Sequence, residues 1–102
     1  MSKSTEKSKK VKSDARKASR VAFTDVGWSE YLEWSAADQD GLERVNRLID
    51  ESMRDPLKGT GRPKSLKHEL SGCFSRRINR KHRLVYTVVE ECLVILRCRD
   101  HY

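Results

Sequence analysis

Late in the chain, three strand-like runs follow one another in quick succession: Cys73 to Ile78, His82 to Val89 and Cys92 to Arg99. Only the short polar segments Asn79-Arg80-Lys81 and Glu90-Glu91 separate them. Links this short join antiparallel neighbours, because a parallel crossover needs a dozen residues or more. An antiparallel meander is therefore expected, although neither turn has the favoured Asn-Gly or Asp-Gly chemistry. A meander with an apolar face needs a second layer to cover it, and the preceding residues supply one. Asp25 is expected to cap a helix in which Trp28, Tyr31, Leu32 and Ser35 share one face. Asp38 is expected to cap a second, with Leu42, Val45, Leu48, Ile49 and Met53 at helical intervals and Pro56 beyond its end. Trp28 and Trp34 could serve as base-stacking platforms, but an aromatic stripe at helical spacing is read as core. With Val21-Ala22-Phe23-Thr24 as a short leading strand, the layout is strand, two helices, then meander. The expected fold is a small α+β domain.

At 102 residues and 36% hydrophobic, the chain has room for one such domain. No run approaches the ~18 apolar residues of a membrane span, and the basic N-terminus is not followed by the apolar stretch of a secretory signal. A cytoplasmic protein with no membrane partner is expected. Cys73, Cys92 and Cys98 are odd in number and show no Cys-x-x-Cys or Cys/His spacing. They read as reduced thiols packed as small apolar side chains, and neither a metal site nor a cofactor is expected.

The formal net charge of +7 is distributed unevenly. Residues 1–20 carry +6, residues 21–55 carry −6 and residues 56–102 carry +7. The acidic block is the solvated side of the two helices. The basic block has the electrostatic footprint of nucleic-acid contact, an attraction blind to sequence. Residues 1–19 are almost all Lys, Ser, Arg, Ala, Thr and acids, and read as a disordered basic arm ahead of a domain spanning 20–102. The arm could tether the protein electrostatically to RNA; an inert solubilising tail is the plainer reading. Gly59-Thr60-Gly61 lies in a loop-rich stretch, 57–72, and is no dinucleotide fingerprint, since it follows a helix and lacks the third glycine.

The chain closes on Arg97-Cys98-Arg99-Asp100-His101-Tyr102. An imidazole titrates near neutrality, and beside guanidinium groups it can serve a phosphodiester-cleaving site. Residues two apart on a strand share a face. Arg97, Arg99 and His101 thus align on the last strand, Ser75 and Arg77 on the first, and Arg83 opens the middle one. If those faces agree, the sheet gathers Arg77, Arg83 and His101, with Lys64 and Lys67 on the adjoining loop. Several arginines on a sheet are more often solvated than catalytic, and the residues alone do not establish that the faces agree.

The segment Pro63-Lys64-Ser65-Leu66-Lys67-His68-Glu69-Leu70-Ser71-Gly72, then Ser75-Arg76-Arg77-Ile78, His82-Arg83-Leu84-Val85-Tyr86 and the terminal Arg99-Asp100-His101-Tyr102, resembles the YoeB (Txe) toxins of bacterial YoeB–YefM toxin–antitoxin systems, in the RelE superfamily. The resemblance runs from about Val21 to Tyr102 and excludes the basic arm. It implies a RelE-like fold and a ribosome-dependent messenger-RNA endonuclease that cuts the codon in the ribosomal A site. The RNA 2′-hydroxyl attacks its own 3′ phosphate and leaves a 2′,3′-cyclic phosphate. By motif, His101 would be the general acid and Arg83 would stabilise the phosphorane-like charge. Arg77, Lys67 and Arg99 would hold phosphates, and Tyr102 would line the site. The implied partners are a YefM-like antitoxin, the ribosome with its mRNA, and a second copy of the chain, with Trp28, Trp34 or Phe74 as interface or core.

One position departs from the family. Lys64 stands where these toxins commonly place a glutamate as general base. Lys64 could be a base itself, could only neutralise phosphate charge, or could mark an attenuated site; the electrostatic role with slower chemistry is preferred. The rival functions are a non-catalytic ribosome- or RNA-binding module and, more weakly, a ribosome-independent RNase.

Overall fold

The computed structural model describes residues 17–99; Asp100, His101, Tyr102 and residues 1–16 lie outside the described residues. The elements, in chain order, are β1 (Arg20–Phe23), α1 (Asp25–Ala37), α2 (Gln39–Arg54), β2 (Lys64–Ser65), a 3₁₀ turn (His68–Leu70), β3 (Phe74–Arg77), β4 (Arg83–Val89) and β5 (Cys92–Arg97). The strands form one sheet in the order β1-β5-β4-β3-β2. The meander β3-β4-β5 is antiparallel as expected, and β1 adds to it in parallel beside β5. This parallel pair needs the long crossover that α1, α2 and the meander provide.

Both helices cover one face of the sheet. Trp34, Val45, Leu48 and Ile49 pack there against Leu84, Tyr86, Leu93 and Ile95, all buried. Each fully buried aliphatic side chain contributes roughly 1.5–3 kcal/mol. Asp38 caps α2 as expected, its carboxylate accepting from Gly41 N at 2.9 Å. The expected apolar stripe of α2 is the stripe that packs, joined by buried Ser52, whose hydroxyl donates to the Leu48 carbonyl.

The first helix differs from expectation in two ways. Its cap is Thr24 rather than Asp25: the Thr24 hydroxyl accepts from Gly27 N at 3.0 Å and donates to Leu96 O at 2.9 Å. Its inward face is Gly27, Glu30 and Trp34, while Trp28 is 48% exposed and Leu32 is exposed. The expected stripe Trp28-Tyr31-Leu32-Ser35 lies about 100° around the helix from the buried one, and of its members only Tyr31 is half-buried and packs on the core. Apolarity pointed to the wrong face because a glycine and a carboxylate occupy the right one. At Gly27 a Cβ would collide with the Ile95 carbonyl oxygen, so only glycine lets α1 lie this close to β5. Trp28 instead joins a surface aromatic cluster with Phe23 and Tyr31, ring centroids 5.2–5.8 Å apart.

Two boundaries also shift. Lys17, Ala18 and Ser19, expected in the arm, are docked on the domain: Ala18 is buried and donates to Met53 O at 3.0 Å, and Ser19 donates to Glu91 O at 2.8 Å. Lys64, expected on a loop, is in the edge strand β2. The Glu90-Glu91 turn places both residues at positive φ, 48° and 63°. This is the twist a two-residue hairpin requires, adopted here without glycine. Arg20 donates to the Glu90 carbonyl at 3.0 Å and helps hold it.

Candidate active site

Residues directly opposite one another in adjacent strands share a face, as do residues two apart in one strand. Lys64 lies opposite Ser75, Ser75 is two residues before Arg77, and Arg77 lies opposite Arg83. The register therefore gathers Lys64, Ser75, Arg77 and Arg83 on one face. Arg76, Leu84 and Tyr86 form the other, beneath the helices. The Arg83 guanidinium donates to the buried Ser75 hydroxyl at 3.0 Å, which fixes its direction along the sheet. Lys64 and Arg77 are exposed and Arg83 is half-buried. Three cations on one face of a sheet create a potential suited to a polyanionic backbone, with guanidinium groups able to grip phosphate in two places. Lys67 is exposed at the head of the 3₁₀ turn, two residues past β2.

The structure treats Arg97 and Arg99 differently. Strand β5 ends at Arg97, and α1 takes the next residues in hand. Glu30 pairs with Arg97 at 2.7 Å, and Arg99 pairs with Glu33 at 3.3 Å while lying over the Trp34 ring at 4.8 Å. Both guanidinium groups are thus engaged with α1. His101 and Tyr102, expected to supply the acid and a lining group, lie outside the described residues.

Two buried charges, neither among the residues expected at the site, organise this region. Arg76 is 0% exposed. Its guanidinium donates to the carbonyls of Asp55 and Lys58 at 2.7 Å and Thr60 at 2.9 Å, and to the Tyr86 hydroxyl at 3.0 Å. Glu51 lies 3.5 Å away, and itself accepts from Thr60 N at 2.6 Å. Arg76 thereby ties the whole loop 55–60 to β3, just ahead of Lys64. Gly61, at φ 87°, lets this loop close onto Arg77, whose N–H donates to the Gly61 carbonyl at 2.6 Å. A signal existed: two consecutive arginines in a strand must face opposite sides, and Arg76 shares its side with Phe74 and Ile78. The second charge is Glu30, which is 8% exposed.

Two buried acids are shifted. Burial, reinforced by the Glu30 carboxylate, pushes the Cys98 thiol up to about 12. Burial also raises Tyr86, against the opposing effect of its Ser52 and Arg76 partners. A thiol raised on folding stabilises the native state fully below its unfolded value of about 8.5, and that stability drains as pH rises from there and is gone once pH passes the folded value. The unfolding free energy is expected to fall by on the order of 2 kcal/mol from this thiol between pH 8 and 10.5. Urea unfolding at the two pH values checks it: Cys98→Ala should flatten the alkaline limb, and an equal decline in the variant would exclude the thiol as its source.

Among the described residues no cluster of three or more His, Cys, Asp or Glu could hold a metal ion. No helix among them is long and apolar enough to cross a membrane.

A five-stranded mixed sheet with two helices packed on one face gives this chain the RelE-like α+β fold of small toxins. The YoeB/ParE toxin from Agrobacterium tumefaciens superposes with a TM-score of 0.80 at 36% identity, covering 82% of this chain and all of that one. The toxin fold of a YoeB-YefM complex from Staphylococcus aureus gives 0.77 at 34% identity, over 81% and 97%. In sequence, Toxin YoeB of Streptomyces coelicolor is 48% identical over 83 residues, 81% of this chain and 99% of that protein. Residues 23–102 match the family described as the YoeB-like toxin of bacterial type II toxin–antitoxin systems, and the chain belongs to that family.

Proposed function

We propose that this protein is a ribosome-dependent messenger-RNA endoribonuclease that inhibits translation by cutting the codon in the ribosomal A site. The observation that carries the reading is the register gathering Lys64, Ser75, Arg77 and Arg83 on one sheet face. Cleavage by the RNA 2′-hydroxyl requires an in-line sugar–phosphate, removal of the 2′ proton, neutralisation of the phosphorane-like charge and protonation of the 5′ leaving oxygen. Arg83, directed by Ser75, neutralises the equatorial oxygens. Arg77 and Lys67 hold neighbouring phosphates, and Arg99 joins them only by exchanging its Glu33 partner for a phosphate. His101 gives the proton to the leaving oxygen, and Tyr102 lines the site. Lys64 contributes charge, while water or a ribosomal group assists removal of the 2′ proton, so turnover is slow. The ribosome supplies much of the substrate geometry, and the free protein is a poor nuclease.

The proposed partners follow. A YefM-like antitoxin carrying an acidic segment would fold over the cationic face and silence it; solved relatives include YoeB-YefM complexes from Staphylococcus aureus. A YoeB dimer from the same organism is also among them. In this chain Trp34 is core and Phe74 packs on Tyr86, which leaves Trp28, with Leu32 one turn further along α1, as the apolar surface a second copy would cover. The second functional reading, a ribosome- or RNA-binding module without turnover, is favoured by one residue, Lys64.

End-mapping of a message, with and without ribosomes paused at a known codon, tests the proposal. A cut in the A-site codon only when ribosomes are present is the expected result. Lys64→Glu, which installs a carboxylate base, is expected to speed cleavage by about 10²-fold. A large loss in that variant would make the lysine itself the base. Ribosome binding without any cut would overturn the nuclease in favour of the binding module.

A further inference from the structure

Where β5 ends, two successive backbone N–H groups leave the ladder in a buried place, and buried donors must find acceptors. Glu30 provides them. Its Oε1 accepts from Cys98 N at 2.8 Å and from Arg99 N at 3.0 Å, while Oε2 accepts from Arg97 Nε at 2.9 Å and a terminal guanidinium nitrogen at 2.7 Å. The same helix closes the clamp from other positions. Trp34 Nε1 donates to the Cys98 carbonyl at 2.6 Å, and the Cys98 thiol lies 3.7 Å from the Gly27 carbonyl oxygen. Glu33 and the Trp34 ring hold Arg99. Gly27, Glu30 and Trp34 form one face of α1, so a rigid helix grips three consecutive residues of the final strand's exit. A buried carboxylate facing four donors is a strong, directional anchor.

We propose that Glu30 is a positioning residue for the reaction: it fixes the point and direction from which the chain leaves β5, and thereby where His101 can act. The proposal rests on the nuclease reading above. His101 follows Arg99 by two residues, a backbone reach of at most about 7 Å, so the anchored Arg99 backbone is the origin from which the imidazole is delivered. Proton transfer to a leaving oxygen needs contact within hydrogen-bond distance, and a misplacement near 1 Å can cost about 10²-fold. The chain spends a buried charge at this exit, where an apolar residue would have continued the core of α1. Glu30 touches no substrate in this role. It acts through the backbone of Cys98 and Arg99.

Two readouts on two variants test this. Glu30→Ala removes every acceptor. Glu30→Gln keeps an oxygen for the two amides and loses the charge, so it guards against simple misfolding. Hydrogen exchange should show the Cys98 and Arg99 amides protected in the natural protein, about 10-fold less protected in Glu30→Gln and unprotected in Glu30→Ala, with β3 and β4 amides unchanged. Single-turnover cleavage on paused ribosomes should fall about 10-fold in Glu30→Gln and about 10²-fold in Glu30→Ala, with ribosome affinity held within about twofold. Unchanged cleavage in both variants, or a fall that merely follows lost ribosome binding or melting of β3 and β4, overturns the proposal. If the natural protein itself does not cut, the nuclease reading falls. The exchange data would still decide whether Glu30 anchors the exit.

Discussion

Replacing His101 with alanine is expected to slow single-turnover cleavage on paused ribosomes by about 10²–10⁴-fold, the range general acid catalysis supplies. Ribosome binding should stay within about twofold. The separation follows from the division of labour in the proposed site. Arg77, Lys67 and Arg83 attract and hold the phosphodiester through charge, which persists in the variant. His101 alone is assigned the proton that the departing 5′-oxygen needs. A second measurement makes the assignment specific: an RNA with sulfur in place of the bridging 5′-oxygen has a leaving group stable without a proton. His101→Ala should cut that substrate at nearly the natural protein's rate. Full cleavage of ordinary RNA by the variant, or no recovery with the sulfur substrate, would remove His101 from the acid's role.

The largest structural effect is expected at Arg76. Arg76→Ala should lower the unfolding free energy by about 3–5 kcal/mol, as uncompensated changes at buried charges do. It strips donors from three loop carbonyls and from the Tyr86 hydroxyl, and leaves Glu51 without its buried counter-charge. Arg76→Met, nearly the same length, should do little better. Apolar replacement of a buried ion pair succeeds when both partners can be exchanged, but the acceptors here are mainly backbone carbonyls that no substitution removes. For a domain of this size each kcal/mol moves the melting temperature by about 4–8 °C, so a drop of roughly 12–40 °C is expected. Urea and thermal unfolding measure it, and an Arg76→Met protein within about 1 kcal/mol of the natural one would show the network to be dispensable. The functional consequence is local: with loop 55–60 released, Lys64 loses the closure that sets β2 beside β3.

The two halves of this molecule were unequally legible. The meander was readable because its evidence is local, with apolar strands, polar links and a period of two all lying within about 10 residues. The second helix was readable for the same reason, its cap at Asp38 and its stripe of Leu42, Val45, Leu48, Ile49 and Met53 agreeing with each other. The first helix was misread where long-range partners overrule local apolarity. Glu30 is buried because Arg97, Cys98 and Arg99, 67–69 residues away, present it with four donors. Trp28 is exposed because Gly27, not a large side chain, must meet Ile95. Similarly, Ala18 is buried where its N–H meets a helix end and its neighbour Ser19 meets a hairpin turn, both distant in sequence.

The candidate site follows the same division. Residue order alone fixes which chemistry-bearing residues the chain owns, their alternation along each strand and, through its motifs, the toxin family to which they belong. It could also show that Arg76 and Arg77 cannot face the same way. Which faces meet depends on the assembled sheet and helices. Register between strands brought Lys64 opposite Ser75 and Arg77 opposite Arg83, and packing of α1 drew Arg97 and Arg99 to Glu30 and Glu33. Alternation is a property of one strand's backbone, whereas register and pairing are set by what the whole fold must bury and which buried polar groups it must satisfy.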